Sequence, residues 1–176
     1  MVLKDSQRVP STQVVIAALN EEEGIGPTIA ELLANLPSAR VLVVDGKSID
    51  RTVEIARGLG AEVAFQDGKG KGDAVAKALG LLDPATDYVV LTDADFSYPT
   101  DSVIDMIHIM EGDHQVGMVC GNRFNHHLDK KALHNVFHFG NRFIAFTHNA
   151  LNGVPLRDPL TGLRVVRADL LRGWKV

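Results

Sequence analysis

The chain has 176 residues, a hydrophobic share of 45% and a formal net charge of −4. That length supports one domain with a sizeable core, and the negative balance excludes non-specific nucleic-acid binding, which needs a basic surface. No apolar run reaches the about 18 residues of a membrane span, residues 1–11 are polar rather than signal-like, and Cys120 is the single cysteine, so no internal disulfide can form and cytoplasmic residence is expected. From the N-terminus, residues 13–19 read as a first strand. A helix follows, with Pro27 near its first turn and Ile29, Leu32, Leu33 and Leu36 at i, i+3, i+4 and i+7. Residues 40–44 form a second apolar strand that ends in Asp45. A short helix over 51–59 with Gly60 as its C-terminal cap leads to a third strand over 61–65. Residues 72–82 are helical, with Val75, Leu79 and Leu82 on one face. Residues 88–92 form a fourth strand, and Pro99 opens a helix that buries Val103, Met106, Ile107 and Met110. A fifth strand covers 116–120 and holds Cys120 as a small buried residue. Residues 130–152 are again helical in pattern, with mixed polarity.

Alternating strands and helices imply right-handed crossovers and a mostly parallel sheet. Ligands of such sheets sit at the carboxyl ends of the strands. Polar clusters fall there in this chain: Asn20 and Glu21 after the first strand, Asp45 after the second, residues 67–71 after the third, Asp93 and Asp95 after the fourth. Asp93-Ala94-Asp95 directly follows the apolar run Tyr88-Val89-Val90-Leu91-Thr92. Side chains at i and i+2 of an extended segment point the same way, and two hard carboxylates suit Mg²⁺ or Mn²⁺, which typically takes one or two protein carboxylates and completes its shell with water and substrate phosphates. A turn-capping role for Asp95 is the alternative. Asp45 could accept hydrogen bonds from a base or a ribose, while Ser48 and Asp50 could equally be helix caps. The glycine-rich stretch Gln66-Asp67-Gly68-Lys69-Gly70-Lys71-Gly72-Asp73 opens a helix and could hold a phosphate through backbone N–H groups. It is neither a Walker A loop nor a dinucleotide fingerprint.

Six ordered motifs give the chain a family resemblance: Ala18-Leu19-Asn20-Glu21, the 44–52 segment read as V-D-[DG]-x-S-x-D-x-T, the lysine loop 69–74 read as G-K-G-x-A, Asp93-Ala94-Asp95, Gly121-Asn122-Arg123-Phe124, and the 157–164 segment read as x-D-x-x-[ST]-G-[FL]-R. Together they resemble the family 2 glycosyltransferases of the GT-A fold, most closely the polyprenyl-phosphate (dolichyl-phosphate) hexosyltransferase branch. The resemblance implies an α/β fold with a mostly parallel central sheet, and an inverting, metal-dependent transfer of a hexose. The donor would be a nucleotide-diphospho-sugar of the GDP-mannose or UDP-glucose type, and the acceptor a polyprenyl phosphate. It implies Mg²⁺ or Mn²⁺ held by Asp95 and Asp93. Donor contacts are implied at Ala18, Asn20, Glu21, Asp45, Ser48, Lys69, Lys71, Asp93, Ala94 and Arg123. The catalytic set is implied as Asp93, Asp95, Arg123 and Asp158, with the 158–164 segment lining the acceptor side. Two departures stand out: Ala17 replaces a proline common in the first motif, and Phe96-Ser97-Tyr98 replaces a leucine–glutamine pair.

By this reading residues 1–12 are a polar lead, 13–122 the nucleotide-sugar-binding half, and 123–176 an acceptor-side segment that is cut short at its C-terminus. Basic residues between 123 and 142 could receive a lipid phosphate or an anionic leaflet, so a peripheral location on the cytoplasmic face of a membrane is a further expectation. A nucleotidyltransferase, which also uses carboxylate-bound Mg²⁺, and a nucleotide-sugar-binding domain without turnover are the competing readings.

Overall fold

The computed structural model describes residues 9–121, 158 and 161–173. Their backbone forms six strands: β1 (Thr12–Ala18), β2 (Arg40–Asp45), β3 (Glu62–Phe65), β4 (Tyr88–Asp93), β5 (Met118–Cys120) and β6 (Arg164–Arg167). The helices are α1 (Ile25–Asn35), α2 (Thr52–Gly58), α3 (Gly70–Leu79), α4 (Val103–Gly112) and the short α5 (Ala168–Leu171). The sheet order is β3-β2-β1-β4-β6-β5. Strands β1 to β4 are mutually parallel, whereas β6 runs antiparallel to both β4 and β5. The expected fifth strand therefore does not pair with β4. A strand that apolar patterning did not reveal, Arg164-Val165-Val166-Arg167, lies between them. Four residues with charged ends give too short a run to read as buried, and only the pairing partners on both sides make it one.

Strand alternation decides which side chains meet which helix. Val14, Ile16, Val41, Val43 and Val90 join Ile25, Ile29 and Leu32 of α1 and Met106, Ile107 and Met110 of α4 in one core. Val15, Leu42, Val44 and Val89 point to the other face, against Ala74 and Ala78 of α3 and Ala168 of α5. Central strands buried on both faces explain the unbroken Val/Ile/Leu runs. The α1 and α4 faces match their heptad-like spacing, with Leu33 and Leu36 only partly buried. On α3 the expected Val75/Leu79/Leu82 stripe is displaced: Ala74 and Ala78 are the fully buried pair. Two alanines at i and i+4 let this helix lie close against the sheet.

Boundaries shift where polar contacts intervene. Helix α4 starts at Val103 rather than near Pro99, because Tyr98 and Thr100 are buried in the preceding loop, and Thr100 Oγ1 accepts a hydrogen bond from Asn35 Nδ2 (3.2 Å). Gly60, at φ +85°, ends α2 as expected. Its N–H donates to Arg57 O (3.0 Å), while Ala61 N–H donates to Ala56 O (3.1 Å), the paired bonds of a Schellman turn. Cys120 lies in a strand and is half-buried. The helical pattern over 130–152 and the basic residues between 123 and 142 lie outside the described residues. No helix among the described residues is long and apolar enough to cross a membrane.

Candidate active site

In an open parallel sheet the strand order reverses at a switch point, and a crevice opens at the carboxyl ends there. Here that point lies between β1 and β4, since β1 is followed by β2 on one side and flanked by β4 on the other. Asn20 and Glu21 leave β1 at this edge, and Asp93 and Asp95 leave β4. Because β6 is antiparallel, with Arg164 opposite Leu91, its beginning also lies at this edge. Residues 161–164 thus arrive beside the D-x-D. That placement needed β6, which the sequence pattern did not disclose.

The β1–α1 and β2–α2 loops are zipped together. Asp45 is fully buried, and its two oxygens accept the Ser48 backbone N–H (2.8 Å) and the Ser48 hydroxyl (2.6 Å). Ser48 Oγ in turn accepts the Asn20 N–H (2.8 Å), and Asn20 Oδ1 accepts the Ile49 N–H (2.9 Å). Asn20 (φ 55°) and Lys47 (φ 70°) adopt left-handed backbone to allow this. One step further, Glu21 N–H donates to Thr52 Oγ1 (2.7 Å), and the Thr52 hydroxyl donates to Asp50 Oδ1 (2.5 Å). Asp50 also accepts the Thr52 N–H (3.0 Å), while Arg51 holds the N-cap position of α2 with no side-chain cap. Asp45 therefore organises the two loops from beneath, while Asn20 and Glu21 stand above it.

Three carboxylates gather at the crevice. Glu21 is pushed above its ordinary pKa, first by burial and then by the negative charges of Asp95, Asp50 and Asp93. Asp95 is exposed on the loop after β4, and its Oδ1 accepts the Ser97 N–H (3.0 Å), so it does cap a turn. Phe96 takes left-handed backbone (φ 58°) to make that turn. Ala94 is buried, and its carbonyl accepts the Thr28 hydroxyl (3.4 Å). Gly24 is required beside it: a Cβ there would lie 2.5 Å from Ala94 O. The start of α1 is thereby pressed onto the D-x-D backbone. Asp93 makes an ion pair with Lys71 through Oδ1. Its Oδ2 faces Gly162, where a Cβ would fall on that oxygen and within 2.9 Å of the Tyr98 ring. The Gly162 N–H donates to the Tyr98 hydroxyl (2.6 Å).

On the glycine-rich loop, Lys69 is exposed, and Gly68 N–H donates to Asp73 Oδ2 (2.8 Å). The loop's own carboxylate thus occupies one of the donors proposed for a phosphate, while Lys71 reaches the D-x-D. Asp158 is 3% exposed, and its carbonyl accepts the Thr161 N–H (3.3 Å). Burial raises the Cys120 thiol pKa, with Arg164 acting against this and Asp158 with it. Arg123 lies outside the described residues. Ala18, the end of β1, is buried and contributes backbone: its carbonyl accepts the Gly46 N–H (2.8 Å). Tyr98, Gly162 and Gly24 were not among the site residues read from sequence. Gly162 had a signal in its motif. Tyr98 stood out in the sequence only as part of the departure after the D-x-D, and Gly24 had no signal, because a close approach between distant segments leaves no local pattern.

This donor set fits a hard divalent cation. Asp93, Asp95 and Glu21 offer oxygen ligands and surplus negative charge, and a lysine already neutralises part of it. Among the described residues no group of three side chains forms a ready-made metal cage.

A model of the family described as Glycosyl transferase family 2 matches residues 13–173. The chain belongs to this family. It is 35% identical over 159 residues to the dolichyl-phosphate hexose transferase of Haloferax volcanii, spanning 90% of this chain and 67% of that protein. Against the glycosyltransferase AglJ of the same organism it is 35% identical over 156 residues, spanning 86% of this chain and 48% of the relative. Its backbone matches mannosyl-3-phosphoglycerate synthase from Rubrobacter xylanophilus with a TM-score of 0.74 at 23% identity, over 92% of this chain and 55% of that one. Glucosyl-3-phosphoglycerate synthase from Mycobacterium tuberculosis, solved with Mn²⁺ and UDP-glucose, matches with a TM-score of 0.66 at 22% identity, over 92% and 57%. The family 2 domain therefore has the expected GT-A-type α/β fold. It spans between about half and two thirds of the length of these relatives.

Proposed function

We propose that this family 2 domain transfers a hexose from a nucleotide-diphospho-sugar to a polyprenyl phosphate, with inversion and with Mg²⁺ or Mn²⁺ as cofactor. The observation that carries the reading is the meeting of Glu21, Asp93 and Asp95 at the switch point between β1 and β4. A diphosphate cannot approach three carboxylates without a cation between them, since like charges repel. Asp95, the most exposed of the three, and Asp93 would hold that cation. When bound it would supply Lewis-acid neutralisation of the leaving diphosphate.

The remaining roles belong to the chain itself. Glu21 and the Asn20–Ser48–Asp45 zipper would form the nucleoside side of the crevice, with Asp45 acting through Ser48 rather than by direct contact. Lys71, which reaches Asp93, could donate a charge-assisted hydrogen bond to the diphosphate, and the exposed Lys69 on the same loop could add a second. Gly162, pressed against Asp93, would bring the 158–164 segment and its acceptor to the reacting sugar. A phosphate acceptor is ionised at neutral pH and needs no general base. The Haloferax relative's name supports dolichyl phosphate as acceptor, and the Mycobacterium enzyme's complexes support a nucleotide-sugar with Mn²⁺.

The test is a thermal-shift panel of GDP-mannose, UDP-glucose and nucleoside triphosphates, with and without Mn²⁺, on the wild type and Asp95→Ala. A ligand at 100 times its Kd adds about 2.7 kcal/mol of stability. One nucleotide-sugar should raise the melting temperature only with Mn²⁺, and Asp95→Ala should abolish that rise without lowering the ligand-free value. No shift with any nucleotide-sugar, or an equal shift in Asp95→Ala, would overturn the reading.

A further inference from the structure

Lys71 sits in the first turn of α3, on the far side of the crevice from the D-x-D, yet its ammonium rests on Asp93 Oδ1. The other oxygen of Asp93 is backed by Gly162, with no room for even a methyl group. The Asp93 side chain is 27% exposed. With Oδ2 covered by Gly162, the oxygen that Lys71 occupies is the one a solvent-borne ion would compete for. Lysine is suited to give way. Its side chain is 56% exposed, its stem is flexible, and an ion pair in contact with water is weak. The backbone that carries it is also lightly packed: Gly70 has φ +82°, and a Cβ at Gly70 or Gly72 would meet nothing within 4 Å.

We infer that Lys71 is the resident counter-cation of this site, exchanged for the divalent ion when the donor arrives and then turned onto the diphosphate. The inference rests on the function proposed above and assigns Lys71 two successive partners in it. A single positive charge on Asp93 keeps the three-carboxylate crevice intact while it is empty. A divalent ion has twice the charge of the ammonium and would compete for the same oxygen. The released ammonium is then within a side-chain swing of the phosphate oxygens. No bond is made or broken in this exchange; only ion pairs change partners.

The two roles predict effects of opposite sign, and that makes them separable. Titration of Mn²⁺ alone, followed through the paramagnetic resonance of the free ion, compares the wild type with Lys71→Met and Lys71→Arg. Lys71→Met should bind Mn²⁺ about two- to fivefold more tightly, the worth of a removed exposed ion pair. It should also bind the nucleotide-sugar at saturating Mn²⁺ about tenfold more weakly, the worth of a lost charge-assisted hydrogen bond. Lys71→Arg should stay near the wild type in both. A Lys71→Met affinity for Mn²⁺ equal to or below that of the wild type, including no binding by either, overturns the inference. Tighter Mn²⁺ binding in Lys71→Met with no nucleotide-sugar bound by any form would leave the counter-cation role standing and sink the transferase reading instead.

Discussion

At the scale of single residues, Glu21 carries the cost of gathering carboxylates at the crevice. Its carboxyl lies above the ordinary 4.5 because burial and the neighbouring carboxylates disfavour its charge. The folded state therefore takes up the Glu21 proton at a higher pH than the unfolded chain does. Its charge penalises the fold fully above the raised value, and the penalty fades as pH falls through the window down to 4.5. Glu21→Gln should raise the ligand-free melting temperature at pH 7 by about 1–3 °C, and the gain should shrink as the pH is lowered toward 4.5. Calorimetry across that range checks it. The same substitution should weaken nucleotide-sugar binding, so stability and function pull apart at this position. Glu21, Asp93 and Asp95 were legible in the sequence as edge groups because they follow apolar strands, although the same position after β2 left Asp45 fully buried. Tyr98 and Gly24 were not. Their importance comes from what lies opposite, Gly162 and Ala94, and neither partner is near in sequence.

At the scale of elements, the loops after β1 and β2 behave as one piece through Ser48. Its hydroxyl accepts from Asn20 and donates to the buried Asp45. Ser48→Ala leaves Asp45 short of a partner in a fully buried position, which should cost about 1–3 kcal/mol in urea denaturation. It should also weaken donor binding, because Asn20 and Glu21 lose their support. Gly60→Ala provides the contrast. Its left-handed backbone makes a side chain cost about 1–2 kcal/mol, but the α2 C-terminus lies away from the crevice, so donor binding should be unchanged. Most elements were readable from periodicity, since parallel strands and amphipathic helices repeat their own instructions. The exceptions have physical causes. Helix α4 begins late because its approach is spent anchoring Tyr98 and Thr100. Helix α3 buries alanines that look like filler in a hydrophobicity pattern. Strand β6 is too short to signal itself.

At the scale of the whole molecule, β6 ties the sheet together between β4 and β5. Arg167 fastens it. Its guanidinium donates to the carbonyls of Val116 (2.9 Å), Asp113 (3.3 Å) and Met110 and to the Tyr88 hydroxyl (3.4 Å), and it lies 5.6 Å from the Tyr88 ring centre. One side chain thus joins β6 to β4, the end of α4 and the turn before β5. Arg167→Met should lower stability by about 2–4 kcal/mol while leaving Mn²⁺ affinity within about twofold, because the crevice lies at the opposite end of β6. Equilibrium unfolding and metal titration of the same preparation check both halves.

Local chemistry, read along the chain, was enough to determine the alternating architecture and to place the acidic residues after β1 and β4 at one sheet edge, because strand period and charge placement are written residue by residue. Three facts only the tertiary structure could decide. Asp45 is buried beneath the site rather than displayed in it, Lys71 crosses the crevice to Asp93, and an antiparallel strand carries Gly162 against the D-x-D. Each is a contact between segments at least three residues and mostly tens of residues apart, satisfied by a specific oxygen or by the absence of a Cβ, and such complementarity exists only once both partners are in place.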